Sequence, residues 1–110
     1  MRKVIKNNAE TKAYLDSLPK IYMVGFWAKY GVREFPFTGK YETDEKGISM
    51  PIVYDYDDHN GTCDNWYLRR LDHTTSGWIL MWTQTKSIAD KVAELFNKDM
   101  EARCKSLNEV

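Results

Sequence analysis

Asn60-Gly61 divides two runs of alternating apolar and polar residues, and no other pair constrains the fold of this chain as strongly. Both residues tolerate positive φ, which a two-residue hairpin turn demands. The run before the pair, residues 48–58, places Ile52, Tyr54 and Tyr56 on one face and Val53, Asp55 and Asp57 on the other. The run after it, residues 63–72, places Trp66, Leu68 and Arg70 on one face and Tyr67, Arg69 and Leu71 on the other. A strand alternates its side chains in this way, so the spacing predicts an antiparallel hairpin.

The flanking sequence builds outward from that hairpin. Asn8 suits the cap of a helix over residues 9–18, with Ala13, Tyr14 and Leu18 along one side, and Pro19 ends it. Residues 20–30 are rich in β-branched and aromatic side chains and read as a strand buried on both faces near its middle. Gly25 within it marks a bulge or a close backbone approach, and Gly31 marks the following turn. Residues 33–43 space Phe35, Phe37 and Tyr41 unevenly, and Pro36 lacks a ladder donor. An edge strand or an irregular crossing is expected there. Residues 44–47 form a turn, and residues 73–77 a second tight connection. The run 78–84 is too apolar for an exposed strand, so a central position covered on both faces is expected, with Trp27, Trp78 and Trp82 in the core. Ser87 and Asp90 resemble a capping box. Behind them Ile88, Val92, Leu95, Phe96 and Met100 fall on one helical face, with Asp90, Lys91, Glu94, Lys98 and Glu101 outside, to about residue 106.

These elements predict a small α+β fold. One domain over residues 1–110 carries a four- or five-stranded, mostly antiparallel sheet. A short N-terminal helix and a longer amphipathic C-terminal helix pack on it, the latter on one face. A chain of 110 residues can bury a core without staples.

Composition narrows the functions. Lys plus Arg and Asp plus Glu are each 16, so no whole-molecule field draws in nucleic acid. No apolar run approaches the roughly 18 residues of a membrane span. The start of the chain lacks the apolar core of an export signal, so a cytoplasmic protein with reduced Cys63 and Cys104 is expected. Aromatics make up 14% of residues, more than a small core readily hides, which points to surface rings suited to recognition.

Each chemical candidate has a plainer reading beside it. Asp55, Asp57, Asp58 and Asp64 bracket His59 and could hold a cation, but the spacing fails the EF-hand pattern, and a polar hairpin tip explains them. His59 and His73 stand at opposite ends of one strand, roughly 30 Å apart at ordinary strand rise, so they cannot share a site within one chain. Cys63 has no visible means of lowering its pKa. Trp66, Tyr67, Arg69 and Arg70, extended by Tyr54 and Tyr56, interleave guanidinium groups with rings, which suits an acidic partner, a phosphate or a nucleotide. The plainer account buries Trp66 and Tyr67 and pairs the arginines across strands with Asp55, Asp57 or Asp58. No GxGxxG, P-loop, HExxH or GxSxG motif is present.

The expected function is therefore a non-catalytic binding protein, such as a phage or mobile-element inhibitor or accessory protein. It would engage a protein partner or a small anionic ligand through Tyr54, Tyr56, His59, Trp66, Tyr67, Arg69, Arg70 and His73, with no cofactor or metal. The alternative is a small enzyme acting on nucleotides or nucleic acid, with His59 or His73 as general base. A third reading is a homodimer that pairs through a sheet face or an edge strand.

Overall fold

A computed structural model describes residues 4–6, 8–59, 62–74 and 78–108; the side chains of residues 4, 5, 57–59, 62–64 and 106–108 fall outside it. The elements in chain order are β1 (Val4–Lys6), α1 (Ala9–Asp16), β2 (Lys20–Phe26), β3 (Tyr30–Thr43), β4 (Ser49–His59), β5 (Thr62–Arg70), a 3-10 turn (Leu71–His73), β6 (Trp78–Thr83) and α2 (Lys86–Asn108). The fold is α+β, as the residue pattern predicts. Five strands, β2 to β6, form the body of the sheet, and the three-residue β1 adds to β5, giving the order β1-β5-β4-β3-β2-β6.

The chain divides into two compact units, residues 1–21 with 35–76 and residues 22–34 with 77–110, and β2 and β3 run through both. In the first unit β4 and β5 pair antiparallel from Ile52↔Arg70 to His59↔Thr62, with a bulge between Asp57 and Asp58. The expected Asn60-Gly61 turn lies outside the described residues. β3 is not an edge strand. It pairs with β4 from Phe37↔Val53, and Tyr41↔Pro51 follows, so four residues of β3 span two of β4. Gly39, at φ 84°, sits within that excess. The Thr38 hydroxyl donates to the Ile52 carbonyl at 2.7 Å and stitches the irregular stretch to β4. Pro36 precedes the first β3–β4 pair, so its missing N–H removes no bond of that ladder.

α1 is capped as its sequence predicts, with the Asn8 side chain accepting from the Thr11 N–H at 2.9 Å. Its other end is held by Lys20, whose ammonium donates to the carbonyls of Leu15 and Leu18 at 2.8 and 2.9 Å. The side chain it buries is Leu15 rather than Ala13 or Tyr14. A helix of eight residues has room for one firm contact, and Tyr14 remains 52% exposed. Ile21, Phe35, Phe37, Pro51, Val53, Tyr54 and Leu71 are buried with Leu15 in this unit.

In the second unit the β2–β3 connection is Trp27 to Lys29, and Gly31 lies inside β3 rather than at the turn. Ala28 takes the positive φ of 69° there. Gly25 fulfils both expectations. The β2–β6 register shifts beside it, and a Cβ at this position would overlap the Trp27 ring. β6 is not central. It stands last in the strand order and pairs with β2 alone among the described strands. Phe26↔Trp78 and Gly25↔Ile79 are followed by Val24↔Met81, which leaves Leu80 as an extra residue. That insertion reverses the alternation, so Trp78 and Trp82 do not share a face. The tryptophans expected in the core are not buried: Trp27 and Trp78 are exposed and Trp82 is partly so.

α2 begins at Lys86, where the Thr85 carbonyl accepts from Ile88 and Ala89. Asp90 pairs with the Lys86 ammonium at 2.7 Å instead of reaching back as a capping box would. The buried seam also differs from the expected one. Ala89 and Ala93, with Val92 beside them, pack on Val24, Tyr22, Tyr30, Val32, Leu80 and Met81, while Ile88, Leu95 and Phe96 stay about half exposed. Two alanines on one stripe let the helix approach the strands closely, and the larger side chains splay to its sides. Asn97 then fixes the helix: its amide accepts from the Tyr30 N–H and donates to the Tyr30 carbonyl, each at 2.8 Å. Asp90, Lys91, Glu94, Lys98 and Glu101 point outward, as expected.

Candidate functional site

The residues singled out from sequence all lie in the first unit, His73 in the 3-10 turn and the others on the β4–β5 hairpin. The register opposes Ile52 to Arg70, Tyr54 to Leu68 and Tyr56 to Trp66, so these six share a face. Val53 opposes Arg69 and Asp55 opposes Tyr67, so Arg69 and Tyr67 belong to the other face. The two arginines therefore cannot act together on one ligand. Alternation alone carried that separation, and only the register showed which residues stand opposite each.

Arg70 is a structural residue. Its side chain is 6% exposed, and its Nη2 donates to Asp44 Oδ2 and to the Ile48 carbonyl, both at 3.1 Å. Its Nε lies 3.1 Å from Asp72 Oδ1 without the alignment of a hydrogen bond, so charge rather than direction joins them. Asp44 was legible only as part of a turn, yet it organises the turn. Its Oδ1 accepts from the N–H groups of Lys46 and Ile48 at 2.9 and 3.0 Å. The Ile48 N–H first, with Arg70 and the Lys46 N–H after it, holds its carboxyl below the ordinary value against the opposing effect of desolvation.

Arg69 keeps the cross-strand pairing expected of it. Nη1 stands 3.5 Å from Asp55 Oδ2, and the guanidinium lies 5.5 Å from the centre of the Tyr67 ring. Asp55 is buried and also accepts from the Tyr56 N–H at 3.0 Å. With Asp55 and Tyr67 so placed, Arg69 is already engaged on its own face.

The Tyr56 face is the more open one. Tyr56 is 44% exposed and meets Trp66 edge-on at 5.1 Å. Alongside runs a groove of about 250 Å³ lined by Tyr14, Thr38, Lys40, Ile52, Tyr54 and Leu68. Tyr54 is buried in its floor, with the Tyr14 ring edge-on at 6.4 Å. Burial, and then the hydrogen bond with Tyr14, push the Tyr54 phenol above its ordinary value, so it stays neutral and able to donate. Lys40 is exposed at the groove and pairs with no described carboxylate. Sequence reading missed Tyr14 and Lys40. Both reach the hairpin from other elements, and periodicity within the hairpin carries no trace of them.

His73 is 68% exposed, with Nε2 3.9 Å from Asp72, at a cleft of about 610 Å³. Glu42, Asp44, Glu45 and Asp72 line that cleft against Lys46 and Arg70. The balance of charge repels a phosphate there. The His59, Asp57, Asp58 and Cys63 side chains lie outside the described residues, and Cys104 is an exposed thiol on α2. Among the described residues no group of three metal-ligating side chains comes together, and no helix is long and apolar enough to cross a membrane.

Comparison of the chain with protein-family models, curated proteins and solved structures finds no match.

Proposed function

We propose that this protein is a non-catalytic binding module that engages a protein partner through the Tyr56–Trp66 side of the β4–β5 hairpin and the groove beside it. The observation that carries this reading is the exposed Tyr56 ring set against Trp66 next to a groove with an apolar floor. Rigid aromatic anchors flanked by a cation are the usual makings of a recognition surface. Lys40 at the groove favours a partner segment bearing a carboxylate beside an apolar side chain. A small anionic ligand has less support. Arg70 is engaged by Asp44 and Asp72, and Arg69 faces away with Asp55. The enzymatic alternative rests on His73 beside Asp72, and the acidic lining of its cleft weighs against a nucleotide substrate.

The test is native mass spectrometry of the protein after incubation with lysate of its source cell. Wild-type protein should retain a discrete partner, and Tyr56→Ala and Lys40→Glu, with unchanged circular dichroism, should lose it. Retention by both variants places the working surface elsewhere. If wild-type retains nothing and His73→Ala abolishes a phosphate-ester turnover, the enzymatic reading replaces this one.

A further inference from the structure

The groove beside Tyr56 and Trp66 is built for one part of a partner. Tyr54 stands opposite Leu68 across the hairpin, and Tyr56 opposite Trp66 on the next rung of the same face. Ile52 and Leu68 are half-buried along the groove and supply its apolar surface, while Tyr14, Thr38 and Lys40 come from outside the hairpin. No carboxylate is among the residues that line it.

The polar side chains on the groove leave only donors to spare. The Thr38 hydroxyl is spent: it donates to the Ile52 carbonyl at 2.7 Å and accepts from the Lys40 N–H at 3.2 Å. Tyr54 shares a hydrogen bond with Tyr14, which adds to burial in keeping Tyr54 protonated. A bond that favours the protonated phenol is one that phenol donates, so the Tyr14 O–H is left to donate outward. Lys40 is exposed, and its ammonium pairs with no described carboxylate. An ammonium and a phenolic O–H beside an apolar surface suit a carboxylate joined to an apolar group.

Size decides how the two are joined. The groove encloses about 250 Å³. Pockets for drug-sized ligands run to roughly 300–1,000 Å³, so this one has room for about one amino acid residue. An internal residue offers either a carboxylate or a large apolar side chain. The last residue of a chain offers both, because its α-carboxylate and its side chain share one Cα. We infer that the groove takes the C-terminal residue of a protein partner, with its apolar side chain on Ile52 and Leu68 and its free carboxylate at Lys40 and Tyr14. The residues before it run over the Tyr56–Trp66 rung. End-on capture of this kind rests on the binding of a protein partner to this side of the hairpin, the function proposed for it.

NMR titration of the intact, isotope-labelled protein with short peptides tests this. The probes are acetyl-Gly-Gly-Leu and acetyl-Gly-Gly-Phe, each as free acid and as amide, and acetyl-Gly-Leu-Glu amide, whose carboxylate is on a side chain. At least one free acid should shift the Lys40 and Leu68 amides saturably at roughly millimolar peptide, as suits a one-residue anchor. Its amide and the glutamate peptide should bind at least about tenfold more weakly. Lys40→Met should weaken the free acid by a similar factor and leave the amide where it was, a split that loss of fold would not produce. Tyr14→Phe should weaken the free acid by less. End-on capture is overturned if neither free acid binds, if the amide or the glutamate peptide binds as tightly, or if Lys40→Met keeps the preference for the acid. When any of these holds while Tyr56→Ala still loses the lysate partner, end-on capture fails alone. If Tyr56→Ala and Lys40→Glu both keep that partner, the surface itself is misplaced, whatever the peptides do.

Discussion

Arg69 and Arg70 are adjacent in the chain and opposite in circumstance. Arg70 is almost wholly covered and joins Asp44, Asp72 and the Ile48 carbonyl, so it pins the 44–47 turn to the end of β5. Arg70→Ala is expected to lower stability by about 2 kcal/mol, measured from the urea midpoint at constant slope. The full cost of breaking a buried pair is not expected, because Asp44 and Asp72 are each about one-third exposed. Arg69→Ala is expected to cost less, since Asp55 keeps its bond from the Tyr56 N–H. Asp44 makes the same turn sensitive to acid. Its carboxyl sits below the ordinary value of 3.8 in the folded chain, so its contribution is whole above that value and is lost as the pH falls through the lower, folded one. Asp44→Asn should therefore flatten the acid limb of stability against pH while leaving its slope near neutrality unchanged. The two arginines were legible from alternation as belonging to opposite faces. Asp55 was legible as a partner of Arg69, but the partners of Arg70 were not, because Asp44 lies 26 residues away and only the folded turn brings it there.

At the scale of elements, the strands and helices follow their sequence periods, and the departures have a common origin. Hydrophobicity records how much a segment gains from burial and says nothing of which neighbours it meets. β6 was therefore expected at the centre and stands at the edge, while β3, expected as an edge strand or an irregular crossing, lies inside and is irregular. Leu80 shows a second limit: one inserted residue reverses the side-chain alternation of β6, and Gly25 marked an irregularity in β2 without showing that the extra residue lies on β6. α2 was readable as a helix, but its seam was not, because Ala89 and Ala93 carry too little hydrophobicity to stand out beside Ile88 and Leu95. The same helix owes its placement to a polar residue. Asn97→Ala would leave the Tyr30 N–H and carbonyl without their partner, at an expected cost of about 1–2 kcal/mol in thermal or urea unfolding. Asn97→Asp should be worse than Asn97→Ala at neutral pH, since a carboxylate can accept from the N–H but would face the carbonyl with like charge.

For the molecule as a whole, the α+β class and the order of most elements could be read from the chain. The candidate site could be read only in part. The hairpin was found, but the groove beside it was not, because the groove borrows Tyr14 from α1 and Lys40 from β3. Charge balance and the lack of short motifs favoured binding over catalysis. The engagement of both arginines within the fold then moves that reading from an anionic ligand to a protein partner. The Asn97 contact also bears on how the molecule ages. Hydrolysis of that amide to an acid adds only one mass unit (about 1 Da), yet it replaces the donor that holds the Tyr30 carbonyl with a repelling charge. While the helix is formed, its backbone resists the cyclisation that such hydrolysis requires. The slow gain of mass at position 97 in a stored sample is thus a clock for how often α2 unwinds around Asn97.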